Sequence, residues 1–216
     1  MTRGGRADGA FSAEDLLEAL RRNFQAATPA RFPGLARMFL EDCGLPNLSS
    51  VLPPTPLDAL RQSVADSHQG NPRDAPFRHT LLVDKSDCEA GVDVLFHCRV
   101  LDPARTVVLA LTDFGDRGLS TTQQAEALRR IKEAAERGVT LVLIGAAPIE
   151  SALYDLLNRY YTEGRGGEYF CNISVGSRFT PVRVSPDFRL IAHVPFSALS
   201  RTALAFLNRF SKFVVS

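Results

Sequence analysis

The sequence predicts an α/β protein: an αβα core around a mainly parallel five-stranded sheet, preceded by a small helical region. Three observations carry this. The stretch 138–161, GVTLVLIGAAPIESALYDLLNRYY, opens with Val139, Leu141, Val142, Leu143 and Ile144. Those residues are apolar on both sides of the backbone alternation, as in a strand covered on both faces. Further runs of the same kind, TVVLALT at 106–112 and FRLIAHV at 188–194, recur along the chain. Helical patterns separate them, and repeated βα units of this kind require a parallel sheet with right-handed crossovers.

Residues 1–10 are rich in Gly, Arg and Asp and are expected to be disordered. Ser12 with Asp15 reads as a helix start, followed by an apolar face of Leu16, Leu17, Leu20 and Phe24. A second helix is expected over 32–43, ended by Gly44 and Pro46. Residues 45–56 carry four prolines and read as linker, 57–64 as a helix (Leu57, Leu60, Val64) and 67–76 as a loop. The organisation is therefore a disordered 1–10, a helical region over 11–76 and a core over 77–216. Within the core, 80–83 is expected as a strand, 86–100 as a helix and 106–112 as a second strand. Ser120 to Gln123 is a capping-box pattern opening a helix that buries Ala125, Leu128, Ile131 and Ala135 and stops at Gly138. Pro148 suits the first turn of the next helix, whose apolar face is Ile149, Leu153, Leu156, Leu157 and Tyr160. A hairpin insertion is expected over 163–185, with strands 169–175 and 179–184 around Gly176-Ser177. A strand over 188–194, a helix over 197–206 and a fifth strand over 212–215 complete the core. An ending so close to that strand suggests a fragment of a longer polypeptide.

Apolar residues make up 45% of the 216 residues and charged residues 23%, ordinary values for a globular chain. The formal net charge of +1 gives no general electrostatic case for nucleic acid or an anionic membrane. No apolar run approaches the roughly 20 residues of a transmembrane helix, and the N-terminus lacks a secretory h-region. Cys43, Cys88, Cys98 and Cys171 are scattered without a CxxC pair. They read as reduced thiols of a cytoplasmic protein.

A phosphate loop after the first strand would need glycines to wrap the phosphates, then a Lys and a Ser or Thr. Lys85-Ser86 matches the last two residues. No glycine precedes them, and Asp84 and Asp87 would repel phosphate. The segment is therefore a plain strand-to-helix turn. A dinucleotide fingerprint is absent at every βα junction. The strand over 139–144 ends in Gly145, Ala146 and Ala147 rather than in acids. Asp113 and Asp116 follow the second strand, at the edge where α/β sheets place ligands. They read as loop acids near a helix start or, in a second function class, as the site of a stand-alone α/β small-molecule-binding domain or enzyme that also uses the 164–167 glycine loop. His68, His79, His97 and His193 show no metal spacing, and His193 reads as a packed histidine in a strand. Cys88 has no His and Asn partners visible from sequence. Arg159, Arg165, Arg178 and Arg183 flank the hairpin and are expected to form a solvated basic face or a contact with a neighbouring domain.

From Leu143 onward the chain resembles the mysterin-type (RING finger 213-like) giant AAA+ E3 ubiquitin ligases. The similarity lies in ESALYDLLNRY at 150–160, SPDFRLI at 185–191 and LNRF at 207–210, against a family pattern of ESLYDxLNQxY, HPNFRLI and LINRLEKH. LLEALRRNFQ at 16–25 is similar to the segment that closes the preceding unit. The resemblance covers about residues 14–216, weakly before Phe77. It implies an AAA+-like core with 80–83 as the first strand, 139–144 as the Walker B strand and 188–194 as the sensor-1 strand. It places Arg209, beside Asn208, as an arginine finger or an inter-unit contact, where a guanidinium would stabilise developing γ-phosphate charge.

The departures are as telling. There is no Walker A, Gly145 and Ala146 replace the Walker B acids, Glu150 lies too far along to substitute, and His193 stands near the sensor-1 position. Without Mg²⁺ ligands and a water-orienting acid, phosphoryl transfer loses its main electrostatic support. The resemblance therefore implies a non-hydrolysing, degenerate unit with no catalytic, nucleotide-binding or metal residue of its own. ATP and Mg²⁺ would belong to active units of the parent, and zinc to its ligase modules. The implied partners are neighbouring AAA+ units of the same longer chain and, through the parent, the ubiquitin machinery.

Overall fold

The computed structural model describes residues 13, 16–17, 19–20, 31–45, 56–66, 78–86, 88–111, 119–175 and 178–215. The expected disorder of 1–10, the linker and loop at 46–55 and 67–77, and the hairpin tip at 176–177 lie outside them. The chain divides into two compact units, Met1–Pro54 and Thr55–Ser216.

In the first unit, helix α1 spans Phe32–Asp42, with Phe32, Ala36 and Leu40 buried at helical spacing. It ends where Gly44 turns left-handed (φ 69°) and Leu45 N–H reaches back to the Leu40 carbonyl at 3.0 Å. That is a glycine stop of the Schellman kind.

In the second unit, α2 (Pro56–Asp66) is followed by β1 (His79–Asp84), α3 (Ala90–His97), β2 (Thr106–Ala110), α4 (Thr121–Arg137) and β3 (Thr140–Ile144). A 3₁₀ segment, Ala147–Leu153, leads into the short α5 (Tyr154–Asn158). The small sheet of β4 (Thr162–Glu163), β5 (Tyr169–Val175) and β6 (Arg178–Val184) comes next. Then follow β7 (Arg189–Pro195), a 3₁₀ turn Phe196–Arg201, α6 (Leu204–Leu207) and β8 (Phe210–Val215).

The main sheet is five-stranded, ordered β2-β3-β7-β1-β8, and every pairing in it is parallel. The expected parallel sheet is therefore present, with an AAA+-like core arrangement. Side-chain alternation sorts the core into two faces. Leu81, Val83, Leu141, Leu143, Leu190 and Ala192 pack with α4, α5 and the small sheet. Leu82, Val142, Ile144 and Ile191 pack with Leu60 and Val64 of α2 and Val92 and Leu95 of α3. The three inner strands, β3, β7 and β1, are buried in both registers because each is covered twice, whereas the edge strand β2 leaves Val108 exposed.

The α4 boundaries follow from local chemistry. Ser120 Oγ accepts from Gln123 N–H at 3.2 Å while Gln123 Oε1 accepts from Ser120 N–H at 2.8 Å. At the other end Gly138 sits at φ 70°, and a Cβ there would lie 2.5 Å from Ser185 Oγ. The glycine-rich stretch at 164–167 is the turn between β4 and β5, closed by Gly164 N–H to the Glu168 carbonyl at 2.7 Å.

Three local expectations are corrected. The helix expected over 86–100 is shorter, because the Asp84 carboxylate ties down the turn before Ala90 and Arg99 turns left-handed (φ 55°). The helix expected from Ile149 is a 3₁₀ segment before it becomes α5. The segment 197–206 is a 3₁₀ turn followed by a four-residue helix.

Candidate functional site

In open α/β sheets, ligands bind beyond the carboxyl ends of the strands where the strand order reverses. Here that place is the end of β1, which has β7 on one side and β8 on the other. Asp84 is the last residue of β1, and its side chain is 1% exposed. Its Oδ1 accepts from Ser86 N–H at 2.8 Å and from the Ser86 hydroxyl at 2.6 Å. Its Oδ2 accepts from Gly91 N–H, in the first turn of α3, at 2.6 Å. His193 Nε2, from β7, lies 3.2 Å from the same Oδ2. Burial alone would raise this carboxyl; the bonds from Ser86, Gly91 and His193 outweigh it and hold Asp84 below the usual carboxylate range.

In sequence, Lys85-Ser86 matches the end of a phosphate loop, and Asp84 is a charge hostile to phosphate. The structure shows where that charge goes: it caps α3 at its positive end. Lys85 is exposed, and Lys85 N–H bonds the Val215 carbonyl at 2.9 Å. His193 is a packed strand histidine, with Nδ1 buried and without a hydrogen-bond partner among the described residues. The Asp84–His193 pairing, 109 residues apart in sequence, was not foreseen. Its one sequence signal is an acid and a histidine closing two neighbouring apolar strands.

At the end of β3, Gly145 sits at φ 71°, and a Cβ there would come 2.7 Å from the Leu111 carbonyl oxygen. No acidic side chain fits that position. Glu150 lies in the 3₁₀ segment beyond it; desolvation raises its carboxyl, partly offset by the Arg209 charge. The Arg209 guanidinium stacks 4.0 Å over the Tyr154 ring and donates to the Ala205 carbonyl. Asn208 is exposed, and its carbonyl accepts from Arg78 at 2.8 Å. Asp113 and Asp116 lie outside the described residues.

Around the hairpin, Arg165, Arg178 and Arg183 are exposed, with Arg183 3.8 Å from Glu168. Arg159 departs from that face. It turns left-handed (φ 57°), its Nε is buried, and its charge acts on His79 and Tyr161. All four cysteines are free; burial pushes the Cys171 thiol up to about 12. Among the described residues, no three His, Cys, Asp or Glu side chains gather into a metal-sized cluster.

An αβα unit with its first strand between its last two, and its ligand edge at that strand, is an AAA-type unit of the nucleotide-binding fold. The chain belongs to the RNF213 AAA domain family, whose sequence profile matches residues 69–216. A Dictyostelium discoideum protein named as a putative uncharacterized transmembrane protein is 30% identical over 215 residues, 96% of this chain and 4% of that protein. Human E3 ubiquitin-protein ligase RNF213 is 23% identical over 210 residues, 91% of this chain and 4% of that protein. The zebrafish (Danio rerio) E3 ubiquitin-protein ligase rnf213-beta is 28% identical over 183 residues, 83% of this chain and 3% of that protein. The chain thus spans only a few per cent of the length of these relatives. Among the described residues, no helix is long and apolar enough to cross a membrane.

Proposed function

We propose that this chain acts as a non-hydrolysing AAA unit of an RNF213-like E3 ubiquitin ligase, with a structural and mechanical role in a ring of such units. The observation that carries the reading is the end of β1. Where a hydrolysing unit would wrap phosphates in glycine backbone, this chain has a short turn held by its own carboxylate. The glycine at the end of β3 supports it, because the position that would orient Mg²⁺ or water has no room for an acid. In this reading the parent acts in the cytoplasm, with ATP and Mg²⁺ held by other units and zinc by its ligase modules. Arg209 and Asn208 would face a neighbouring unit at the seam, with the Tyr154 stack holding the guanidinium ready.

The test is ATP turnover by the purified chain with Mg²⁺ present. The expected result is no turnover above a buffer control. Turnover that Lys85→Ala abolishes would overturn the reading. For the seam, Arg209→Ala in the parent protein is expected to lower its total ATP turnover; an unchanged rate refutes an inter-unit role in hydrolysis.

A further inference from the structure

The carboxyl end of β1 gathers donors of the kind that hold a phosphate in this fold class: a backbone N–H in the first turn of a helix, a turn amide with its hydroxyl, and a ring nitrogen from the next strand. In this chain all of them converge on Asp84. Both oxygens are engaged, Oδ1 by Ser86 and Oδ2 by Gly91 and His193. The fit is close. A Cβ on Gly91 would lie 2.5 Å from Asp84 Oδ2 and 2.7 Å from a Val215 methyl. The Asp84 carboxylate and the Val215 methyl thus fill the space beside Gly91. With Nε2 donating to Asp84, the ring's other nitrogen, Nδ1, is buried with no hydrogen-bond partner among the described residues.

We infer that Asp84 is a built-in anion: its carboxylate stands where this fold would hold a phosphate group, and so closes the site to phosphorylated ligands. The inference rests on the non-hydrolysing reading and gives it a physical agent. The unit is shut by an occupant as well as by missing catalytic groups. The charge is fitting, since a carboxylate meets the positive end of α3 and the donors around it as a phosphate oxygen would.

The experiment uses the full 216-residue chain and inorganic pyrophosphate as the probe. Binding is read from the amide resonances of Gly91 and Ser86 and from calorimetry. In the wild type both amides should stay unmoved on titration. Asp84→Ser removes the carboxylate and leaves a small hydroxyl. It should bind pyrophosphate at least about tenfold more tightly than the wild type, a difference near 1.4 kcal/mol, with the shifts centred on Gly91. An Asp84→Ser chain that gains no binding overturns the inference and leaves the non-hydrolysing reading standing. So does a wild type whose Gly91 amide moves on titration without ATP turnover. ATP turnover by the wild type removes both. Should Asp84→Ser not fold, the wild-type titration decides alone: an unmoved Gly91 supports the inference and a moved one refutes it.

Discussion

His79 is held in a place that admits only its neutral form. It is the first residue of β1, buried against Phe188 with ring centroids 6.1 Å apart. Burial, then the Arg159 charge, lowers its pKa from 6.5 to about 3, against a smaller opposing bond at the Leu156 backbone. The sign follows directly. Below pH 6.5 the unfolded chain takes up a proton that the native chain refuses until about pH 3. Stability is therefore lost as pH falls through that window, with a slope approaching about 1.4 kcal/mol per pH unit. Asp84 acts lower on the scale. Its depressed carboxyl contributes stability above the unfolded value, near 4, that is lost as pH falls through the native one. Urea midpoints measured between pH 7.5 and 5 should fall in the wild type and stay nearly level in His79→Gln. Parallel curves for the two chains would disprove the assignment. Neither effect was legible in the sequence. The Asp84 effect comes from the bonds of Ser86 and Gly91 in the folded turn, with the smallest share from His193, and the His79 effect from burial and the Arg159 charge; local periodicity carries no trace of them.

At the scale of elements, local signals predicted what local forces decide. The Ser120–Gln123 box and the Gly138 stop were readable because each is completed within a few residues. Ser120→Ala is expected to cost about 1 kcal/mol in urea melts. Gly145 is stricter: its left-handed backbone and the Leu111 carbonyl leave no place for a Cβ. Restoring an acid with Gly145→Asp is expected to cost at least about 2 kcal/mol and to restore no hydrolysis. A stable, ATP-hydrolysing Gly145→Asp chain would contradict both expectations. Elements set by side-chain bonds and packing rather than by periodicity were misjudged. The stretch after Gly145 has the periodicity of an α-helix, yet Ala147–Leu153 winds as 3₁₀ with Ile149 and Leu153 in the core. The turn after β1 looked helical from Ser86 because its terminator is a side-chain bond to Asp84 that propensity does not register.

At the scale of the whole chain, the parallel sheet was readable because strands buried on both faces leave unbroken apolar runs. The strand order was not, since any of the runs could lie in the middle. The unit boundary shows the same limit. Helix α2, grouped from sequence with the region up to residue 76, falls in the second unit and covers the sheet with Leu60, 1% exposed. Removing residues 1–54 should therefore leave a cooperatively melting protein. Leu60→Ala in the same piece should lose about 2–5 kcal/mol. Non-cooperative melting of 55–216, or a Leu60→Ala change within error, would count against this division.

The position of β1 has one more consequence, for how the chain reaches its fold. The strand is made early, but both its neighbours come late: Thr80 pairs with Ile191 on one side and Ser211 on the other. During synthesis, an apolar strand with two open edges must wait until β7 and β8 have followed. Loop closure over such separations makes folding slow, and open edges invite pairing with other chains. Pulse-labelled hydrogen exchange during refolding should show the amides of β2 and β3, which pair with each other, protected before those of β1. The strand of the sheet that comes first in the sequence would be the last to find its place.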